Sequence, residues 1–274
     1  MPSLLTVSRD PAFQYVLRLG DTCLILGQRL SEWCGHAPVL EEDIAMANIA
    51  LDLIGQSRAL LTHAGQLSGD ITGLHGGQPL DEDQLAFLRE ERDYVNPTLV
   101  ELPNGIVGGL GGQRDFALAV LRNAMVATFL QLMWRHLAKS SDAELASIAG
   151  KAVKEARYHQ QHSGDWVVRL GDGTADSHQR MQAALNHLWP YSNELFSADA
   201  VDDQAADSGL GPRWSDVRAD WLAQMQGLLA EATLEVPADT AFLSAGKRGV
   251  HSEHMGFILA NMQYLQRAYP GGVW

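Results

Sequence analysis

The chain has 274 residues, 46% of them hydrophobic and 19% charged, with a formal net charge of -13. That hydrophobic content excludes a disordered chain and is ordinary for a folded soluble protein. With no block of lysines or arginines, the negative balance argues against a nucleic-acid backbone or an anionic membrane surface as partner. MPSLLTVSRDP lacks a basic start, an apolar run and a small-residue cleavage site, so a cytoplasmic location is expected. Cys23 and Cys34 are the only cysteines. On one helix they would stand roughly 16 Å apart, too far to bridge. Two reduced, buried thiols are expected.

Helical periodicity dominates from the start. Val16, Leu17, Leu24, Ile25, Leu30 and Trp33 predict a helix from Phe13 to Cys34, with Gly35 as its stop. A second runs from Leu40 to about His63, with Glu41, Glu42 and Asp43 in its first turn, where negative charge favours the helix dipole. Gly69 to Pro79 reads as a glycine-rich connection. A third helix starts at Asp81, with Gln84 completing a capping box, and lasts until Asn96-Pro97. ELPNGIVGGLGGQ, residues 101–113, reads as a loop. Its glycines lack the strand, lysine and acidic residue of a nucleotide fold.

Asp115 to Leu137 predicts a strongly apolar fourth helix. Ser141-Asp-Ala-Glu144 reads as a capping box for a fifth, which runs to about Leu170. A sixth spans about Asp176 to Phe196. The acidic ADAVDDQAADSG, residues 198–209, is expected to be a solvated linker, and helices at about 215–235 and 250–268 complete the chain. Tryptophans 33, 134, 166, 189, 214 and 221 are placed as core and interface anchors. With no period-two strand, the fold class is all-α. Four long helices suit a ferritin-like four-helix bundle core with additional peripheral helices, as one domain over residues 1–274.

KEARYHQQH, residues 154–162, puts Glu155, Tyr158, His159 and His162 on one helix stripe. A di-iron site in such a bundle needs a Glu from each of two helices and Glu-x-x-His from each of the other two. The second helix offers Asp52 with Gly55 at the histidine offset, and the fifth offers Glu155 with Tyr158 there. Glycine has no donor, and after Asp115 the fourth helix has no carboxylate until Asp142. The positions Asp52, Gly55, Glu155 and Tyr158 therefore read as a degenerate di-iron site that has lost its metal.

On that reading Glu155 pairs along a core-edge stripe with Arg157, Lys151 or His159. Asp52, in line with Asn48 and Gln56, finds partners such as Tyr158 and Arg122 across the core. A mononuclear site on Glu155, His159, His162 and Asp52 is the competing reading. His251-Ser252-Glu253-His254 reads as a polar turn opening a helix. Lys247 and Arg248 suggest a weaker third possibility, phosphate contacts to a bound ligand. No nucleophile elbow or Cys-His signature supports covalent catalysis.

YVLRLGDTCLILGQRLSEWCGHAPVLEEDIAMANIALDLIGQSRALL, residues 15–61, and GKRGVHSEHMGFILANMQYLQRAYPGGVW, residues 246–274, carry a family resemblance. They are similar to the C-subunit family of the bacterial phenylacetyl-CoA epoxidase, the ring 1,2-phenylacetyl-CoA monooxygenase. The resemblance implies a ferritin-like fold and a structural, non-catalytic place in a multicomponent oxygenase of aerobic phenylacetate catabolism. It implies as partners a catalytic A subunit with the di-iron centre, a small B subunit, and a reductase with flavin and iron-sulfur groups that takes electrons from NADPH. Carried over to this chain, the di-iron motif leaves Asp52 and Glu155 as surviving carboxylates, with Gly55 and Tyr158 where histidines would stand. The resemblance thus implies no cofactor in this chain and no catalytic residue of its own.

Overall fold

The computed structural model describes residues 5–68, 79–105, 114–270 and 272. Most of the glycine-rich connection after Gly69 and of the loop before Asp115 lies outside these residues. The described residues are all-α, with a ferritin-like core of two long helical hairpins and no β-strand. The first hairpin is α1 (Pro11–Ser31) against α2 (Leu40–Leu67); the second is α5 (Phe116–Leu137) against α6 (Ala143–Gly171). Between them lie the short α3 (Glu82–Phe87) and α4 (Thr98–Glu101). After them come α7 (Ala175–Leu188), α8 (Ala200–Asp207), α9 (Arg218–Glu231), α10 (Glu253–Met262) and α11 (Tyr264–Ala268).

Local chemistry explains the boundaries. Asp10 caps α1 by accepting from the amides of Ala12 and Phe13, and Pro11 sits in the first turn, where its missing N–H costs nothing. Gly35 turns the chain back with φ 77°, a conformation that favours glycine. Asp115 caps α5 through the amide of Ala117, and Asp142, rather than Ser141, caps α6 through the amide of Leu145. Gly65 lets α2 touch the returning chain, since a Cβ there would lie 1.8 Å from the Leu80 carbonyl oxygen.

The four long helices divide into two kinds. α1 and α5 are buried almost all the way round, α1 continuously from Phe13 to Gly27 and α5 from Ala117 to Leu130. α2 and α6 are buried along one face each and meet across the open side of the bundle. α8 covers α1, while α7 and α9 cover α5. α2 and α5 are each long and apolar enough to cross a membrane by length and composition alone. The corresponding window of α5 is 89% buried within the fold and that of α2 only 44%.

Several expectations need correction. The acidic segment at 198–209 is no linker. It forms α8, and Asp202 is fully buried between Arg18 Nη1 at 3.0 Å and Lys247 Nζ at 3.2 Å. Its acidic residues are the anions that those two buried cations require, and both cations also lie over the Trp214 ring. The third helix stops at Phe87, because Arg89 turns inward to bind Asp21 and the carbonyls of Leu85 and Asp93. The sixth ends at Leu188; Pro190 has no amide to donate, and Trp189–Phe196 continues as a 3-10 turn. Cys34 is exposed, whereas Cys23 is buried as expected. Five of the six named tryptophans are buried, and Trp166 is partly so.

Candidate functional site

α2 and α6 run antiparallel, and their seam is a ladder of polar pairs. Glu42 Oε2 lies 2.9 Å from His162 Nε2, Asp52 Oδ2 3.0 Å from His159 Nε2, and the Gln56 amide donates to Glu155 Oε2 at 2.8 Å. At the far end His63 Nε2 lies 3.0 Å from Asp142 Oδ2, the carboxylate that also caps α6. Gln56 extends the ladder inward by accepting from the buried Cys23 thiol on α1 at 3.6 Å. Each carboxylate thus finds an imidazole or amide on the other helix, which lets polar side chains sit at the core edge without stranded charge.

The electrostatics follow from position. Burial lowers the His159 pKa below its ordinary value of 6.5, against the opposing pull of Asp52 and Glu155. The Cys23 thiol is pushed far up, first by burial and then by the Glu155 carboxylate, so it is no nucleophile. Tyr158 stands at the solvent edge, its ring 5.9 Å from that of His162.

The positions singled out in the sequence are therefore only partly brought together. Asp52 and Glu155 face the same seam, but each is engaged by its own partner across it, His159 and Gln56. Gly55 is exposed, with open space where a Cβ would be, and Tyr158 is half exposed; neither histidine-equivalent position aims a donor inward. Among the described residues, no group of three or more His, Cys, Asp or Glu is arranged to hold a metal ion, and Glu155, His159 and His162 do not converge. In place of a bridging carboxylate, the inner face of α5 presents Asn123, whose amide donates to Ser163 on α6. These residues do not fit a di-iron centre.

Other assignments change as well. Asp52 pairs with His159, not with Tyr158 or Arg122, and Glu155 pairs with Gln56, not with Arg157, Lys151 or His159. Arg122 is fully buried elsewhere and donates to the Leu102 carbonyl and to Asn104; burial, then the neighbouring Arg29, lowers its pKa to about 9. Lys247 is no ligand contact. Its amine is buried against the Ser197 carbonyl and Asp202, and it holds α8 in place.

His251 does open a helix, as expected, with Ser252 capping α10. It also does more. Its Nδ1 lies 2.7 Å from Glu101 Oε2 and its Nε2 2.9 Å from the Tyr94 carbonyl, which pins the C-terminal helices onto α4. The buried Asp21–Arg89 pair beside it was missed in the sequence, because the partners stand 68 residues apart with no periodic relation.

The comparisons with known proteins agree with this architecture. The phenylacetic acid catabolic protein family matches residues 3–274. The chain is 46% identical over 260 residues to the C subunit of the 1,2-phenylacetyl-CoA epoxidase of Escherichia coli strain K12, an alignment covering 95% of this chain and 98% of that relative. With a match over nearly its whole length and a ferritin-like bundle beneath it, this chain belongs to the phenylacetic acid catabolic protein family.

Proposed function

We propose that this chain is the structural, metal-free C subunit of a cytoplasmic phenylacetyl-CoA 1,2-epoxidase in aerobic phenylacetate breakdown. It pairs with and stabilises a catalytic A subunit that holds the di-iron centre. A small B subunit and an NADPH-dependent reductase with flavin and iron-sulfur groups complete the assembly. The observation that carries this reading is the full-length 46% identity to the C subunit of an epoxidase, in a chain whose Asp52 and Glu155 are each tied to one neighbour across the seam. A bundle that spends its donors this way keeps the shape of an oxygenase subunit while offering no cluster of ligands.

The test is co-expression with the A, B and reductase subunits, followed by size-exclusion chromatography and an NADPH-dependent assay on phenylacetyl-CoA. The expected result is a stable complex with A whose turnover changes by less than about twofold in the Asp52→Asn/Glu155→Gln double variant. A chain that stays monomeric beside A contradicts the pairing. An intact complex that loses its chemistry in that variant contradicts the non-catalytic role.

A further inference from the structure

The C-terminal arm, residues 244–268, is ordered by polar contacts more than by apolar burial. On α10 only Met255, Ile258 and Leu259 are buried, and on α11 no residue is, with Tyr264 and Leu265 exposed. Fixing the backbone costs conformational entropy at every residue, and three apolar side chains offset little of that. Buried carboxylates of the bundle supply the rest. Glu194, in the 3-10 turn Trp189–Phe196, accepts from the Ser244 hydroxyl and the Lys247 amide at 2.7 Å each, and from the Thr98 amide at 2.8 Å. Glu101, on α4, accepts the Ser252 amide and lies 2.7 Å from His251 Nδ1. Further along, the Gln263 side-chain amide donates to the Arg89 carbonyl at 2.9 Å and to the Tyr94 hydroxyl at 2.8 Å.

The segment that leads into the arm is held more weakly still. Just past α9, Thr233 takes φ 57°, a conformation unfavourable for a β-branched residue. Residues 235–244 then make no main-chain to main-chain hydrogen bond among the described residues. Two side-chain amides tether them. Gln182 on α7 pairs with both main-chain groups of Glu235 at 2.9 Å, and Asn193 donates to the Thr240 and Phe242 carbonyls at 3.1 Å. Val236, Phe242 and Leu243 are exposed. A strap built this way leaves the arm beyond it free to lift while the chain stays attached at α9.

We propose that residues 244–268 form a detachable clasp, which leaves the bundle as one unit while α1, α2, α5 and α6 stay folded, with Glu194 and Glu101 as its two catches. The contacts are shared, so they break together. Glu194 binds the arm and the first amide of α4 at once, and His251 and Gln263 both grip Tyr94. The backbones also lie close, since a Cβ at Gly246 would stand 2.4 Å from the Asn96 carbonyl oxygen and one at Gly249 2.3 Å from that of Arg92. Release uncovers the 89–101 chain, including Arg89, which holds Asp21. Redocking is intramolecular through the strap, and anything that binds one of the two forms shifts the population between them.

Hydrogen exchange of the purified full-length chain, read peptide by peptide in a mass spectrometer, tests this directly. The expected result is one common rate for the hydrogen-bonded amides between Lys247 and Gln263, at least about a hundredfold faster than those of α1 and α5. Glu194→Gln turns an NH2 group towards donors that need an acceptor, and Gly246→Ala wedges the arm off Asn96 without touching a carboxylate. Each is expected to speed exchange in the arm at least about tenfold and to leave α1 and α5 unchanged. If the arm of the unaltered chain exchanges as slowly as α1 and α5, it belongs to the bundle's own cooperative unit and the proposal is overturned. Variants that speed every helix alike, or parts of the arm that exchange at unrelated rates, overturn it as well. The rates of the unaltered chain decide the matter even where a variant fails to fold.

Discussion

Asp21 and Arg89 are both fully excluded from solvent, and the Asp21 carboxylate also accepts the Val95 amide at 2.9 Å. Removing one member leaves the other as an uncompensated buried charge. Asp21→Ala should therefore cost about 3–5 kcal/mol in urea unfolding, while a double change to matched apolar residues should cost much less than the two single changes added together. Two histidines titrate with opposite sign. For His159, burial depresses the folded pKa below 6.5, so the unfolded chain takes up a proton that the folded one resists, and stability falls as the pH drops below about 6.5. For His251, burial also disfavours the charge, but the Glu101 carboxylate and the Tyr94 carbonyl outweigh it and raise the pKa above 6.5. Its contribution is full below about pH 6.5 and is lost as the pH rises through the raised value. In unfolding free energy measured against pH, His159→Gln should flatten the acid side and His251→Gln the alkaline side. Unchanged slopes would contradict both assignments.

At the scale of elements, Asp142 has two tasks at the start of α6: it caps the first turn and ties it to His63 on α2. Asp142→Ala should lose about 1–2 kcal/mol by thermal or urea unfolding. Asp142→Asn, which keeps a cap acceptor, should recover most of that. The long helices were legible in the sequence because their signals are local: apolar recurrence, capping carboxylates, and glycine at the turn. The seam was legible only as a list of residues. Glu155, His159 and His162 were visible on one stripe of α6, but which of them meets Asp52, Gln56 or Glu42 depends on the register of two helices about a hundred residues apart in sequence. α8 was misread for the same reason, since its aspartates look solvated until Arg18 and Lys247 are brought against them. That position 55 is a glycine and that no carboxylate lies between Asp115 and Asp142 are residue identities and needed no register.

For the whole molecule, the arrangement separates shape from chemistry. α1 and α5 form a buried centre, α8 packs on α1 and α7 and α9 on α5, and α2 and α6 meet along a seam of paired carboxylates beside the exposed Leu40 and Leu51. The imidazoles and carboxylates of that seam are spent on tying α2 to α6. The central claim is that too few donors are left to bind iron, and the direct measurement is metal content after anaerobic loading of the purified chain with ferrous iron. The account predicts iron far below one atom per chain, unaffected by Glu155→Ala. Near two irons per chain, lost on Glu155→Ala, would contradict it.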